Sequence, residues 1–66
     1  MASYSREHLR LMIGTKGIIV KECSPLGYVT IDGRIYEALS KYVFIPRERM
    51  VKVIGVDFNQ LIVEVI

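Results

Sequence analysis

At 66 residues the chain lies below the roughly 100 to 150 typical of one domain, which excludes a second domain. Apolar residues make up 52% of it, which excludes a disordered chain, whose mark is low hydrophobicity with high net charge. Nine Lys plus Arg against seven Asp plus Glu give +2, far milder than the strongly basic face of a dedicated nucleic-acid binder. In so short a chain the ordering entropy, about 1.5 kcal/mol per residue, is barely offset by burial of apolar surface, so nearly every apolar residue must pack. A catalytic cleft competes for those same side chains, and no self-sufficient enzyme is expected. The longest apolar run is Tyr42 to Ile45, far short of a membrane span. Arg6, Glu7, His8 and Arg10 interrupt any signal-peptide core in the first dozen residues. The lone Cys23 cannot form an internal disulfide, which is compatible with a reducing compartment, and it reads as half-buried strand filler.

In chain order, Ser5 to Leu11 can make one turn of helix with Ser5 as N-cap, a length that is marginal in isolation. Gly14-Thr15-Lys16-Gly17 lacks the spacing and the following helix of a phosphate-binding loop, so it reads as the bend leading into strand one. Strand one is Gly17 to Cys23, β-branched and then alternating, and Ser24-Pro25-Leu26-Gly27 turns the chain. Tyr28 to Ile31 and Arg34 to Leu39 flank Asp32-Gly33, a pair that favours a two-residue type I′ hairpin because both positions need positive φ. Lys41 to Arg49 is a longer crossing in which Tyr42 to Ile45 can run extended and Pro46 blocks regular pairing. Met50 to Val56 and Gln60 to Ile66 form a second hairpin around Asp57-Phe58-Asn59.

The two-residue turn sets Ile31 opposite Arg34, Val29 opposite Tyr36 and Gly27 opposite Ala38, so Val29, Ile31, Tyr36 and Ala38 share a core face. The outer face then carries Tyr28, Thr30, Ile35, Glu37 and Leu39, which is unusually apolar for a solvated surface. In the second hairpin Val51, Val53, Leu61, Val63 and Val65 point inward, Lys52 and Glu64 outward, and Gly55 marks a bulge or bend. Five short strands hide their edges best by closing. The expectation is an all-β, five-stranded OB-like barrel over residues 13–66, with a reduced or absent helix before strand four and residues 1–12 as an arm. An SH3-like barrel is the competing architecture.

Converging catalytic groups are missing. His8 is the only histidine and is remote in sequence from Cys23, so it reads as a surface residue, and one Cys with one His cannot supply a zinc site. No metal or cofactor is expected. OB barrels often stack bases on aromatics along a basic groove, and Arg34, Lys41, Tyr42, Phe44, Arg47 and Arg49 form the candidate set for single-stranded nucleic acid. Tyr36 is claimed by the core, and Glu37 and Glu48 dilute the charge, so this is the alternative reading. For a protein partner, Tyr28, Ile35 and Leu39 are the candidate contacts, as apolar groups on an outer face.

The pattern Ile13-Gly14-x-x-Gly17-Ile18-x-Val20, Pro25-x-Gly27-x-Val29-x-Ile31-x-Gly33-x-x-Tyr36-x-Ala38, Val51-x-Val53-x-x-Val56 and Leu61-x-Val63 resembles the C-terminal soluble domain of NfeD-like proteins. It departs from that family's usual loops at Pro46-Arg47-Glu48-Arg49 and at Asp57-Phe58-Asn59. The resemblance implies a non-catalytic interaction module carried by a membrane-anchored protein, with transmembrane helices upstream and Tyr4 to Leu11 as juxtamembrane linker. It further implies action with stomatin-like (SPFH) proteins and a place on the cytoplasmic side. Longer members add a serine protease domain, for which this chain has no counterpart.

Overall fold

The computed structural model describes residues 4–66. Its elements are α1 (Arg6–Leu11), β1 (Lys16–Lys21), β2 (Leu26–Ile31), β3 (Arg34–Leu39), β4 (Met50–Asp57) and β5 (Gln60–Val65). The strands close into a barrel in the order β1-β2-β3-β5-β4, with β3 and β5 parallel and every other pair antiparallel. This is the expected five-stranded, OB-like closure. The crossing at 40–49 contains no helix.

Local chemistry explains the hairpins. Asp32 (φ 51°) and Gly33 (φ 79°) both occupy the left-handed region, so β2 and β3 pair without slippage from Ile31↔Arg34 to Leu26↔Leu39. Val29, Ile31, Tyr36 and Ala38 accordingly enter the core. In the β4–β5 hairpin Asp57 pairs with Gln60, which makes Phe58-Asn59 the turn, one residue tighter than the three-residue reading. Ile54 is the extra residue of a bulge between Val53 and Gly55; this bends β4 and keeps Val51, Val53, Leu61 and Val63 inside.

A barrel this small is plugged by its connections. Leu9, on the arm, is 1% exposed and belongs to the core, and Tyr4 and Met12 pack beside it. Ser5 caps α1 by accepting from the His8 amide at 3.1 Å. His8 is not the free surface residue expected: it is half-buried, its Nε2 lies 2.9 Å from the Tyr36 hydroxyl, and its ring stacks against those of Tyr4 and Tyr36. Tyr4 and Tyr36 rings meet at 4.5 Å. Tyr36 needs a partner because a phenol buried in a core must keep a hydrogen bond; α1 brings one. Two residues further along β3, Ala38 accepts from the Cys23 thiol at 3.7 Å. Cys23 is fully buried rather than half-buried, because strand one ends at Lys21 and Cys23 forms an isolated bridge with Ile45 of the crossing. Tyr42 to Phe44 consequently do not run as a strand; Ile45 alone of that run is paired and buried.

Two glycines separate crowding from backbone strain. A Cβ on Gly27 would collide with the Lys21 and Glu22 carbonyls, whereas one on Gly33 would meet nothing within 4 Å and suffer only from φ +79°. Gly27→Ala should therefore cost about 2–3 kcal/mol as overpacking, lowering Tm by roughly 10–20 °C, and Gly33→Ala only about 1 kcal/mol; thermal unfolding of the two variants measures the difference. Burial pushes the Cys23 thiol above its ordinary range. Since the thiolate is the nucleophile, a maleimide reagent should label Cys23 far more slowly in the folded protein than in the unfolded one. By the same shift, stability should fall as pH rises past about 8.5, where the unfolded thiol ionises first, and Cys23→Ala should flatten that alkaline decline.

Candidate functional site

The crossing from β3 to β4 is held at several points. The Ser40 amide donates to the Pro25 carbonyl at 2.9 Å, and its hydroxyl donates to the Val43 carbonyl within the bend. Ile45 and Cys23 exchange backbone bonds of 2.9 and 3.2 Å. Beyond Pro46, the Glu48 amide donates to Ile19 (2.7 Å) and the Ile19 amide to Arg49 (3.0 Å), with Glu48 in the left-handed region at φ 70°. Between the pins at Ser40 and Ile45, the side chains of Tyr42, Val43 and Phe44 stand out at 92%, 57% and 62% exposure. An apolar triplet held outside while Ile45 beside it is fully buried is not explained by the core.

Two concavities flank this triplet. One, of about 260 Å³, lies between Cys23–Pro25 and Ser40–Phe44. The other, of about 440 Å³, is a groove between Ser40–Val43 on one side and Ile62–Val65 of β5 on the other, lined also by Ile54. The outer sheet face adds two apolar rows. Register places Met50 beside Ile18, Ile18 beside Thr30 and Thr30 beside Ile35, and separately Leu26 beside Leu39 and Leu39 beside Ile62. Ile18, Met50, Ile35 and Leu26 are each 44–50% exposed.

The sequence candidates sort onto these features. Ile35 belongs to the first row and half-buried Leu39 to the second, about 13 Å apart along β3 at 3.3 Å per residue. Half-buried Tyr28 sits between the rows, opposite Glu37. Lys41, Tyr42, Phe44, Arg47 and Arg49 all lie on the crossing and are exposed. Arg34 does not join them, because it starts β3 at the hairpin turn while the crossing leaves from the other end. Val43, Ile54 and Ile62 were not singled out by sequence. The signal available was the uninterrupted apolar run 42–45 itself, which a strand reading absorbed. Among the described residues no cluster of three or more His, Cys, Asp or Glu could hold a metal ion, and no helix is long and apolar enough to cross a membrane.

A family model described as the NfeD-like C-terminal, partner-binding domain matches residues 9–64. Among solved structures, the chain is similar to the C-terminal domain of stomatin operon partner protein 1510-C from Pyrococcus horikoshii. The two share 33% identity and a TM-score of 0.82 over 86% of this chain and 91% of that one. It is also similar in fold to the soluble domain of a membrane protein implicated in regulation of membrane protease activity from Corynebacterium glutamicum. That likeness has 24% identity and a TM-score of 0.77, over 85% of this chain and 94% of that one. No curated protein matches the chain. From Leu9, which plugs the core, to Glu64 on β5, the barrel and its pinned crossing lie within the family match, and the chain belongs to the NfeD-like C-terminal, partner-binding domain family.

Proposed function

We propose that the chain is a non-catalytic protein-interaction module, the soluble part of a membrane-anchored protein, and that it works on the cytoplasmic side with a stomatin-like partner. The observation that carries this reading is a partner-binding barrel whose core is complete while Tyr42, Val43 and Phe44 remain outside it on a pinned loop. The likeness to the C-terminal domain of a stomatin operon partner protein supports the choice of partner class. Within this reading Tyr28, Ile35 and Leu39 contribute apolar contacts from the β2–β3 face, and the rigid barrel lets a partner bind without a large ordering cost.

The test is a pull-down of a stomatin-like protein by the intact protein, by the isolated domain and by the intact protein lacking residues 13–66. Retention by the first two and loss with the third is expected; undiminished binding after deletion of the barrel, or no binding by the intact protein, overturns the reading.

Single-stranded nucleic acid is the second reading, favoured by exposed Tyr42 and Phe44 beside Lys41, Arg47 and Arg49. The crossing, residues 40–49, offers three cations against the carboxylate of Glu48, too few for strong phosphate neutralisation. An oligothymidine titrated at low salt should show no salt-sensitive binding at about 10 µM protein, a concentration that would detect ordinary non-specific affinity.

A further inference from the structure

The groove beside Tyr42 and Val43 has an unusual second wall. β5 pairs with β3 only through Ala38↔Leu61 and Leu39↔Ile62, where β3 ends, yet β5 continues to Val65. On its other side β5 stays paired with β4 through Val53↔Val63, Lys52↔Glu64 and Val51↔Val65, and the Ile66 amide donates to Met50 at 3.3 Å. Successive residues of a strand send their amide groups to opposite sides. With Ile66 bonded toward β4, Glu64 also bonds toward β4, and Val63 and Val65 turn their amide groups to the β3 side. β4 agrees: Val53, opposite Val63, spends its own amide and carbonyl on Thr15 and Gly14. Among the described residues, no backbone hydrogen bond joins the crossing to β5. The last residues of β5 therefore form an open strand edge, and they line a groove of about 440 Å³.

We propose that this edge is where the protein partner binds, by adding an extended segment of its chain alongside Val63–Val65, between β5 and the Tyr42-Val43 bend. The proposal deepens the partner-binding reading above and rests on it for the claim that the occupant is a protein. Edge addition draws affinity from main-chain bonds and specificity from alternate side chains, and both are supplied here. Val65 offers an amide and a carbonyl that pair with no other described residue; Tyr42, Val43, Ile54 and Ile62 offer apolar contacts. The groove has room for two or three bulky apolar side chains, given that a cavity of about 150 Å³ holds one benzene ring.

Charge selects the occupant. A second copy of this chain pairing antiparallel with Val63 opposite Val65 would set one Glu64 against the other, and like charges directly opposite are destabilising. A segment with Lys or Arg at that place, flanked by apolar residues, is complementary. β5 already accepts such a pattern on its other side, where Met50-Val51-Lys52-Val53 of β4 places Lys52 against Glu64. The partner segment is thus extended and apolar, with one basic residue facing Glu64.

The probe is a capped peptide copying residues 49–54, Arg-Met-Val-Lys-Val-Ile, titrated into the 15N-labelled chain and followed by amide shifts and hydrogen exchange. The expected result is saturable shifts and slowed exchange confined to Tyr42–Phe44 and Val63–Val65. Replacing the peptide's Lys by Glu should weaken binding by about tenfold, as should Val43→Glu or Val65→Pro in the protein. Val65→Pro removes an amide that no described residue uses, and retained spectral dispersion shows that each variant is folded; should both variants unfold, the site of the wild-type shifts decides. Peptide shifts absent at millimolar concentration, or located away from β5, overturn the proposal. So do Tyr42 and Phe44 shifts seen with phosphatidylcholine vesicles holding about 30% phosphatidylserine but not with the peptide, which would make the loop a lipid contact. A stomatin-like protein that binds both folded variants as well as wild type overturns the edge and leaves the partner reading standing. Peptide binding at the edge without any binding of the stomatin-like protein does the reverse.

Discussion

The parallel contact between β3 and β5 governs this molecule. All other neighbouring strands in the barrel are antiparallel pairs, whereas closure depends on two residue pairs, Ala38↔Leu61 and Leu39↔Ile62, between strands distant in sequence. To let β5 dock there, the chain must leave β3, pass round the barrel and start β4 on the far side of β5. The crossing at 40–49 does this without a helix. Its course is set by a few backbone bonds to Pro25, Cys23 and Ile19, so it is defined but not covered. The exposed triplet, the two concavities and the unpaired end of β5 all follow from that one short junction.

Size shapes the rest. A barrel of six- to eight-residue strands encloses too few side chains to fill itself, so the connections complete the core. Leu9 and its neighbours Tyr4 and Met12 pack from the N-terminal side, and Ile45 packs with Cys23 from the crossing. Tyr36 can be 3% exposed because His8 meets its hydroxyl. The same scarcity leaves much apolar surface outside, and exposed apolar atoms alone are ordinary in proteins of any size. What distinguishes the Tyr42–Phe44 region is the coincidence of an apolar wall, a groove and an open edge of backbone.

Legibility in the sequence followed the range of the interactions. The β2–β3 register was readable because Asp32-Gly33 dictates a two-residue turn, and a fixed turn propagates to every pair up to Leu26↔Leu39. The bulge at Gly55 and the inward valines of β4 and β5 were readable for the same reason, since alternation is a local property. The settings of His8, Cys23 and Ile45 depend on contacts that are remote in sequence. Nothing within a few residues of His8 announces Tyr36, which is 28 positions away, and Cys23 is buried at a bridge to Ile45, 22 positions away. The apolar run 42–45 looked like strand material; only the pin at Ser40 and the pairing of Ile45 divide it into one buried residue and three exposed ones.

By itself, then, the sequence determined the strands, their hairpin partners, the faces they bury and the family pattern, because each depends on turn chemistry and period-two alternation within about ten residues. Tertiary structure alone decided where the sheet closes, which connections plug it and where its edge stays open. Those depend on the β3–β5 junction, a contact between residues more than twenty positions apart that no local pattern encodes.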